Sequence, residues 1–201
     1  NAHPHLDEEG RVAVVHNGII ENATALREEL IEQGVTFASE TDTEIVAHLI
    51  ARAYDGEPLE AVRAALRQIR GTYGLVVLFA DQPDMMVAAR HGSPLVIGLG
   101  EDETVVASDP QAVVAHARNV RYLRDRELAV ITQNAADVQA FDGGEVHSSV
   151  EVLDGEYAVA KLDGYPHFML QEIHEQPRSI RRCLRGRLKL DEGNAVLGGL
   201  M

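Results

Sequence analysis

With 201 residues, the chain can form one sizeable domain, or one domain and part of another. Apolar residues make up 45%, enough for a buried core and too many for a disordered chain. The formal net charge of −14 argues against a nucleic-acid-binding or anionic-membrane-binding surface, and no apolar run approaches the length of a membrane span. The single cysteine, Cys183, excludes an internal disulfide framework and fits a cytoplasmic setting. The chain opens Asn1-Ala2-His3-Pro4-His5, without an initiator Met, and closes without an obvious terminal signal, so it is expected to be a piece of something longer.

Arg11 to His16 reads as a β-branched strand that stops at Asn17-Gly18. Asn22 is a candidate N-cap, Leu26 and Leu30 share a helical face, and Gly34 stands where a C′ glycine would end the helix. Val35 to Phe37 is a short extended piece. Ser39-Glu40-Thr41-Asp42-Thr43-Glu44 contains two overlapping capping-box patterns, Ser39 with Asp42 and Thr41 with Glu44. A helix with Ile45, Val46, Leu49, Ile50 and Ala53 on a broad apolar face follows. Pro58 opens a third helix with Leu59, Val62, Leu66 and Ile69 on one stripe, ended by Gly71.

Beyond Gly71 the texture becomes strand-rich. Residues 73–80, 85–90, 95–99 and 104–107 read as short strands between Gly, Pro and Asp turns. Ser108-Asp109-Pro110 can start a short helix ending near His116. Residues 120–123, 127–132 and 137–141 return to strand. Three helices followed by closely spaced strands predict an α+β layered sandwich with antiparallel sheet. Residues 151–164 read as a linker, with a domain boundary near Lys161. New helical material starts at Phe168, and Pro177 is expected to open a fresh helix through Ile180, Cys183 and Leu184.

The Val14-Val15-His16-Asn17-Gly18-Ile19-Ile20-Glu21-Asn22 run carries the most chemistry. An amide side chain beside a glycine N–H, at the exposed tip of a strand, can hold the oxyanion that forms when an amide carbonyl is attacked. The same dipeptide can instead make a type I′ hairpin, but the helical spacing after Asn22 offers no partner strand. Asp42 reads either as a carboxylate favoured at a helix N-terminus or as a fixed anion for the ammonium of an amino-acid substrate. The capping boxes let Ser39 or Thr41 cap the helix and leave Asp42 free. His3, His5 and His16 could form a metal trio or serve as ordinary hydrogen-bonding side chains; no metal and no cofactor is expected. Cys183 lies among Arg181, Arg182 and Arg185, which would lower a thiol pKa, but it has no histidine at helical spacing and reads as a packed or incidental cysteine. Gly92-Ser93-Pro94 reads as a turn and lacks the nucleophile-elbow pattern.

The ordered blocks Asn1-Ala2-His3-Pro4-His5, His16-Asn17-Gly18-Ile19-Ile20-Glu21-Asn22 and Ser39-Glu40-Thr41-Asp42-Thr43-Glu44 resemble the glutaminase domain of the glucosamine-6-phosphate synthase family. Arg70-Gly71-Thr72-Tyr73-Gly74, Gly92-Ser93-Pro94-Leu95-Val96-Ile97-Gly98 and Ala107-Ser108-Asp109 look like later blocks of that domain. Glu172-Ile173-His174-Glu175-Gln176-Pro177 resembles the segment leading into its isomerase domain. The resemblance implies a four-layer αββα sandwich of the N-terminal-nucleophile hydrolase type, truncated at its N-terminus. Residues 1–160 would be a partial glutaminase domain, and residues 161–201 a linker and the start of the sugar isomerase domain.

In such enzymes the mature N-terminal Cys attacks the glutamine side-chain amide, with its own α-amine as base. By this resemblance Asn17 and Gly18 form the oxyanion hole, Asp42 receives the glutamine α-ammonium, and His3 lies near the glutamine pocket. Ammonia would pass to fructose 6-phosphate in the isomerase domain of a homodimeric parent enzyme, giving glucosamine 6-phosphate and glutamate. Position 1 is Asn rather than Cys, and the Arg-containing block that binds the glutamine α-carboxylate would precede Asn1, so the chain alone is expected to be inactive. Other readings are another class II amidotransferase, such as an amidophosphoribosyltransferase, or a non-catalytic glutamine-binding protein.

Overall fold

A computed structural model describes residues 2–153, 162, 164–185, 188–189 and 193–195. In chain order the elements are β1 (His5–Leu6), β2 (Val12–Ile20), α1 (Ala23–Glu32), α2 (Asp42–Ala53), α3 (Pro58–Leu66), β3 (Gly71–Phe79), β4 (Met85–His91), β5 (Val96–Leu99) and β6 (Thr104–Ala107). A 3-10 turn (Pro110–Ala112) precedes β7 (Asn119–Tyr122), β8 (Glu127–Thr132), β9 (Ala135–Ala140), β10 (Val150–Val152), α4 (Phe168–Leu184), β11 (Leu188–Lys189) and β12 (Asn194–Ala195). The chain divides into two compact units, residues 1–159 and 160–201.

Strand alternation builds the first unit. A six-stranded sheet runs in the order β1-β2-β3-β4-β8-β9, antiparallel throughout. Val12 and Val14 of β2 and Tyr73, Leu75, Val77 and Phe79 of β3 point to one face. They pack against Leu26 and Leu30 of α1, Ile45 and Ile50 of α2, and Val62 and Leu66 of α3. Each large aliphatic or aromatic side chain fully buried there contributes about 1.5–3 kcal/mol. On the other face Ala88, Ala129, Ile131 and Val138 meet Leu95, Ile97 and Leu123. Those last residues belong to or flank a second antiparallel sheet, in the order β10-β7-β5-β6. Val113, Ala117 and Leu153 pack with Val96 and Val120 of that sheet. This cover reaches Val76 of β3 but leaves Val15, Ile19 and Leu78 exposed.

Several expectations change. β2 does not stop at Asn17-Gly18 but continues to Ile20, with Asn17 opposite Gly74 and Gly18 opposite Tyr73. Positive φ values at Gly18 (144°) and, on the facing strand, at Gly71 (128°) let two chains that approach closely stay in register. Asn22 takes the N-cap position of α1, but its side chain does not cap. Its Nδ2 donates to Gln68 O (2.9 Å) and its Oδ1 accepts Arg70 N–H (2.8 Å), tying α1 to the turn before β3. α3 ends at Leu66, and Gly71 begins β3 rather than ending the helix. The short helix expected to reach His116 is a 3-10 turn at Pro110–Ala112. Val150–Val152, partly read as linker, is an edge strand paired with β7.

In the second unit α4 is one helix with Pro177 inside it, not two helices. Proline's fixed φ is itself helical, so the chain passes through with one backbone hydrogen bond missing. β11 and β12 pair antiparallel. Lys161, at the expected boundary, lies outside the described residues.

Candidate active site

The free side of β2 organises the site. In an antiparallel ladder alternate residues bond to one neighbour, and those between face the other way. Three N–H groups of β2 that face away from β3 have side-chain acceptors. Val12 N–H donates to Asp7 Oδ1 (2.7 Å), His16 N–H to His3 Nε2 (3.4 Å) and Ile20 N–H to Asp42 Oδ2 (2.9 Å). Gly18 stands midway between His16 and Ile20 in this alternation, so its N–H lies on the same edge, between His3 and Asp42. Asn17 and Gly18 are exposed. Asn17 is on the sheet face that also carries Val15 and Ile19. A Cβ at position 18 would lie 2.0 Å from Thr72 O and 3.0 Å from His16 Nε2, so glycine is required for both space and φ.

The N-terminus of α2 supplies the carboxylate. Thr41 is the N-cap, its Oγ1 accepting Glu44 N–H at 3.4 Å. Glu44 does not return the bond to Thr41, as a capping box would require. Glu44 is 3% exposed, and its carboxylate accepts Ala38 N–H and Ser39 N–H, both at 2.6 Å, and the Ser39 hydroxyl. His48 Nε2 faces it at 3.6 Å. Burial alone would raise the Glu44 pKa; the hydrogen bonds from Ser39 and Ala38 outweigh it and hold the carboxyl below its ordinary value. Asp42, the first helical residue, is half-buried. It is not left free: one oxygen is committed to Ile20 N–H. The remaining lone pairs of a carboxylate can still accept from an ammonium.

Three histidines converge beside this edge. His3 is exposed and lies edge-on to His5, ring centroids 5.4 Å apart. His5 Nδ1 lies 3.2 Å from Thr41 Oγ1. Burial and the neighbouring His3 lower the His5 pKa. His16 is 5% exposed, with Nδ1 3.1 Å from Thr43 Oγ1 and Nε2 3.3 Å from Thr72 O. Burial lowers its pKa, which favours the neutral ring. Among the described residues no three His, Cys, Asp or Glu side chains converge as metal ligands.

The structure thus brings His3, Gly18 and Asp42 to one edge of β2, with Asn17 beside Gly18 on the adjoining sheet face. Cys183 is exposed on α4, in the second unit. Ser93 sits in a turn that passes over Gly74, where a Cβ would lie 3.0 Å from Pro94 O. Sequence reasoning missed the bonds of His5 to Thr41 and of His16 to Thr43 and Thr72. The one available signal was the alternation that puts His16 on the same face as Val12 and Val14.

A family profile described as a glutamine amidotransferase domain matches residues 1–115, which include all four gathered residues. The chain belongs to this glutamine amidotransferase family. Curated relatives named glutamine–fructose-6-phosphate aminotransferase (isomerizing) align along nearly the whole chain. The Chlorobaculum tepidum protein is 45% identical over 100% of the chain and 33% of its own length. The Symbiobacterium thermophilum protein is 49% identical over 98% of the chain and 32% of its own length. The amidotransferase chain therefore spans about a third of the length of these relatives. Among solved structures, glutamine phosphoribosylpyrophosphate amidotransferase from B. subtilis, complexed with ADP and GMP, superposes with a TM-score of 0.60. It is 28% identical, over 70% of this chain and 32% of its own. No described helix is long and apolar enough to cross a membrane.

Proposed function

We propose that the chain is the glutamine-handling part of a glutamine–fructose-6-phosphate aminotransferase. The carrying observation is the β2 edge, on which the Gly18 N–H lies between the anchors made by His3 and Asp42. A glutamine placed along this edge would present its α-ammonium to Asp42 and its side-chain carbonyl to Asn17 Nδ2 and Gly18 N–H. The attacking N-terminal cysteine passes its thiol proton to its own α-amine, and attack on that carbonyl gives a tetrahedral oxyanion. The proton then moves to the leaving nitrogen, the C–N bond breaks, ammonia leaves, and a thioester remains that water hydrolyses to glutamate and free thiol. The negative charge on the carbonyl oxygen peaks in that tetrahedral state, before the C–N bond breaks, where two fixed donors stabilise it most. His3 borders the pocket.

The nucleophile is assigned to the N-terminal cysteine of the full-length gene product, with Cys183 playing no part. The helices on one sheet face and the second sheet on the other are consistent with an αββα sandwich. Identities of 45–49% to the fructose-6-phosphate enzymes, against 28% to the phosphoribosyl enzyme, favour fructose 6-phosphate as the ammonia acceptor.

The test is glutamate release from glutamine by the full-length gene product. Asn17→Ala should lower kcat by about 10²–10³-fold, the usual cost of one oxyanion donor. Absence of glutamine hydrolysis in the wild type, or an unchanged kcat in the variant, overturns the reading.

A further inference from the structure

We propose that His16 is a positioning residue for the oxyanion hole, holding the Thr72 carbonyl in place against Gly18. The inference rests on the glutaminase reading above. Thr72 O can only accept, so the facing His16 Nε2 must carry the ring proton. In the neutral ring Nδ1 is then an acceptor, and the Thr43 hydroxyl 3.1 Å away donates to it. One buried side chain therefore joins β2, the first turn of α2 and the start of β3.

Gly18 is where these contacts converge. Thr72 O approaches it so closely that a Cβ there would lie 2.0 Å from the oxygen, and His16 Nε2 would lie 3.0 Å from the same point. The peptide that presents Gly18 N–H is held on one side by that carbonyl. On the other, His16 N–H is fixed by His3 and Ile20 N–H by Asp42. Without the Nε2–H bond, the Thr72 carbonyl keeps only its ladder partner, Ile19, and loses the second donor that fixes its direction. The Gly18 peptide would move with it. Thr43 adjoins Asp42 in sequence, so the same ring also braces the turn that carries the Asp42 carboxylate.

The positions of the two nitrogens provide the test. A Gln at position 16 can place an amide donor near the site of Nε2, whereas an Asn places its amide near Nδ1 and cannot reach Thr72 O. In the full-length gene product His16→Asn should lower kcat for glutamine hydrolysis by roughly 10- to 100-fold with little change in KM, and His16→Gln should recover most of that loss. Thr43→Val, which removes the hydroxyl that selects the tautomer, should lower kcat in the same direction by a smaller factor and reads the same coupling if His16→Asn fails to fold. A lowered melting temperature with unchanged kcat in these variants, or equal losses in His16→Asn and His16→Gln, overturns the proposal. If the wild type hydrolyses glutamine and Asn17→Ala does not, such a result removes only the positioning role of His16. If Asn17→Ala is as active as wild type, the glutaminase reading itself falls.

Discussion

Asp42 Oδ2 accepts the Ile20 N–H at 2.9 Å, joining the first turn of α2 to the end of β2 two residues beyond Gly18. The bond fixes the distance between a carboxylate suited to an ammonium and an N–H suited to an oxyanion. It also gives Asp42 two separable roles, as a backbone acceptor and as a charge.

Asn at position 42 should separate them. Its amide oxygen can still accept from Ile20, but the charge is gone. In the full-length gene product Asp42→Asn should fold with nearly wild-type stability and raise KM for glutamine by roughly 10- to 150-fold, the worth of a charged hydrogen bond of about 1.5–3 kcal/mol. Asp42→Ala should show the same KM defect and lose stability as well, because the half-buried Ile20 N–H is left without its acceptor. Equal KM values for wild type and Asp42→Asn would remove the ammonium from the account.

Glycine at position 18 meets two demands at once, φ 144° and the approach of Thr72 O. Gly34 has φ 88° and nothing within 4 Å of an added Cβ. Gly34→Ala should therefore cost only the left-handed strain of about 1–2 kcal/mol. Gly18→Ala should cost more, about 3 kcal/mol or above, since strain and overlap add and the strand pair must shift. Urea denaturation of the two variants tests this. Similar midpoints for both would mean that Thr72 moves aside at little cost.

Strand alternation was readable wherever one face is buried. β8 (Glu127–Thr132) carries Leu128 toward the helices and Ala129 and Ile131 toward the other sheet, and its bounds match the sequence reading. The apolar face of α2 was legible for the same reason. β10 was not, because all three residues of Val150–Val152 are exposed and show no apolar alternation, although the strand pairs with β7. Asn17-Gly18 looked like a strand end because the dipeptide suits turns. In the fold Gly18 faces Tyr73 and Ile20 faces Gly71, and this pairing with a strand distant in sequence, which carries β2 to Ile20, is non-local. Asp42 was legible as a charge at a helix start, but its bond to Ile20, 22 residues away, depends on the fold. Glu44 was read as a capping partner of Thr41. Its actual partners, Ala38 and Ser39, are set by the path of the loop before the helix.

Glu44 and Glu127 should make stability pH-dependent in one direction. Burial pushes both pKa values up, but hydrogen bonds from Ser39 and Ala38 to Glu44, and from Arg124, His147 and Ser148 to Glu127, bring both below the ordinary 4.5. A folded-state pKa below the unfolded one means that the unfolded chain binds more protons in acid. Their contribution is therefore complete above the unfolded value and is lost as pH falls through the folded value. Denaturation midpoints should decline as pH is lowered below about 5, and Glu44→Gln should flatten that decline while lowering stability at pH 7. An unchanged slope in Glu44→Gln would place the acid sensitivity elsewhere.

Cys183 is the chain's only cysteine and is exposed near the C-terminal end of α4. Exposure leaves its sulfur open to small disulfide reagents. The native chain should therefore react with such a reagent at Cys183 without denaturant. Catalysis needs more than reactivity. A nucleophile must lie within reach of a carbonyl held by Asn17 and Gly18, and the proposal gives that role to the N-terminal thiol of the full-length gene product. Cys183→Ser in that protein should leave glutamine hydrolysis within about twofold of wild type, as expected for an exposed residue outside the chemistry. Loss of glutaminase activity in Cys183→Ser, with folding intact, would move the nucleophile to α4 and undo the assignment of the β2 edge as the place where the amide is attacked.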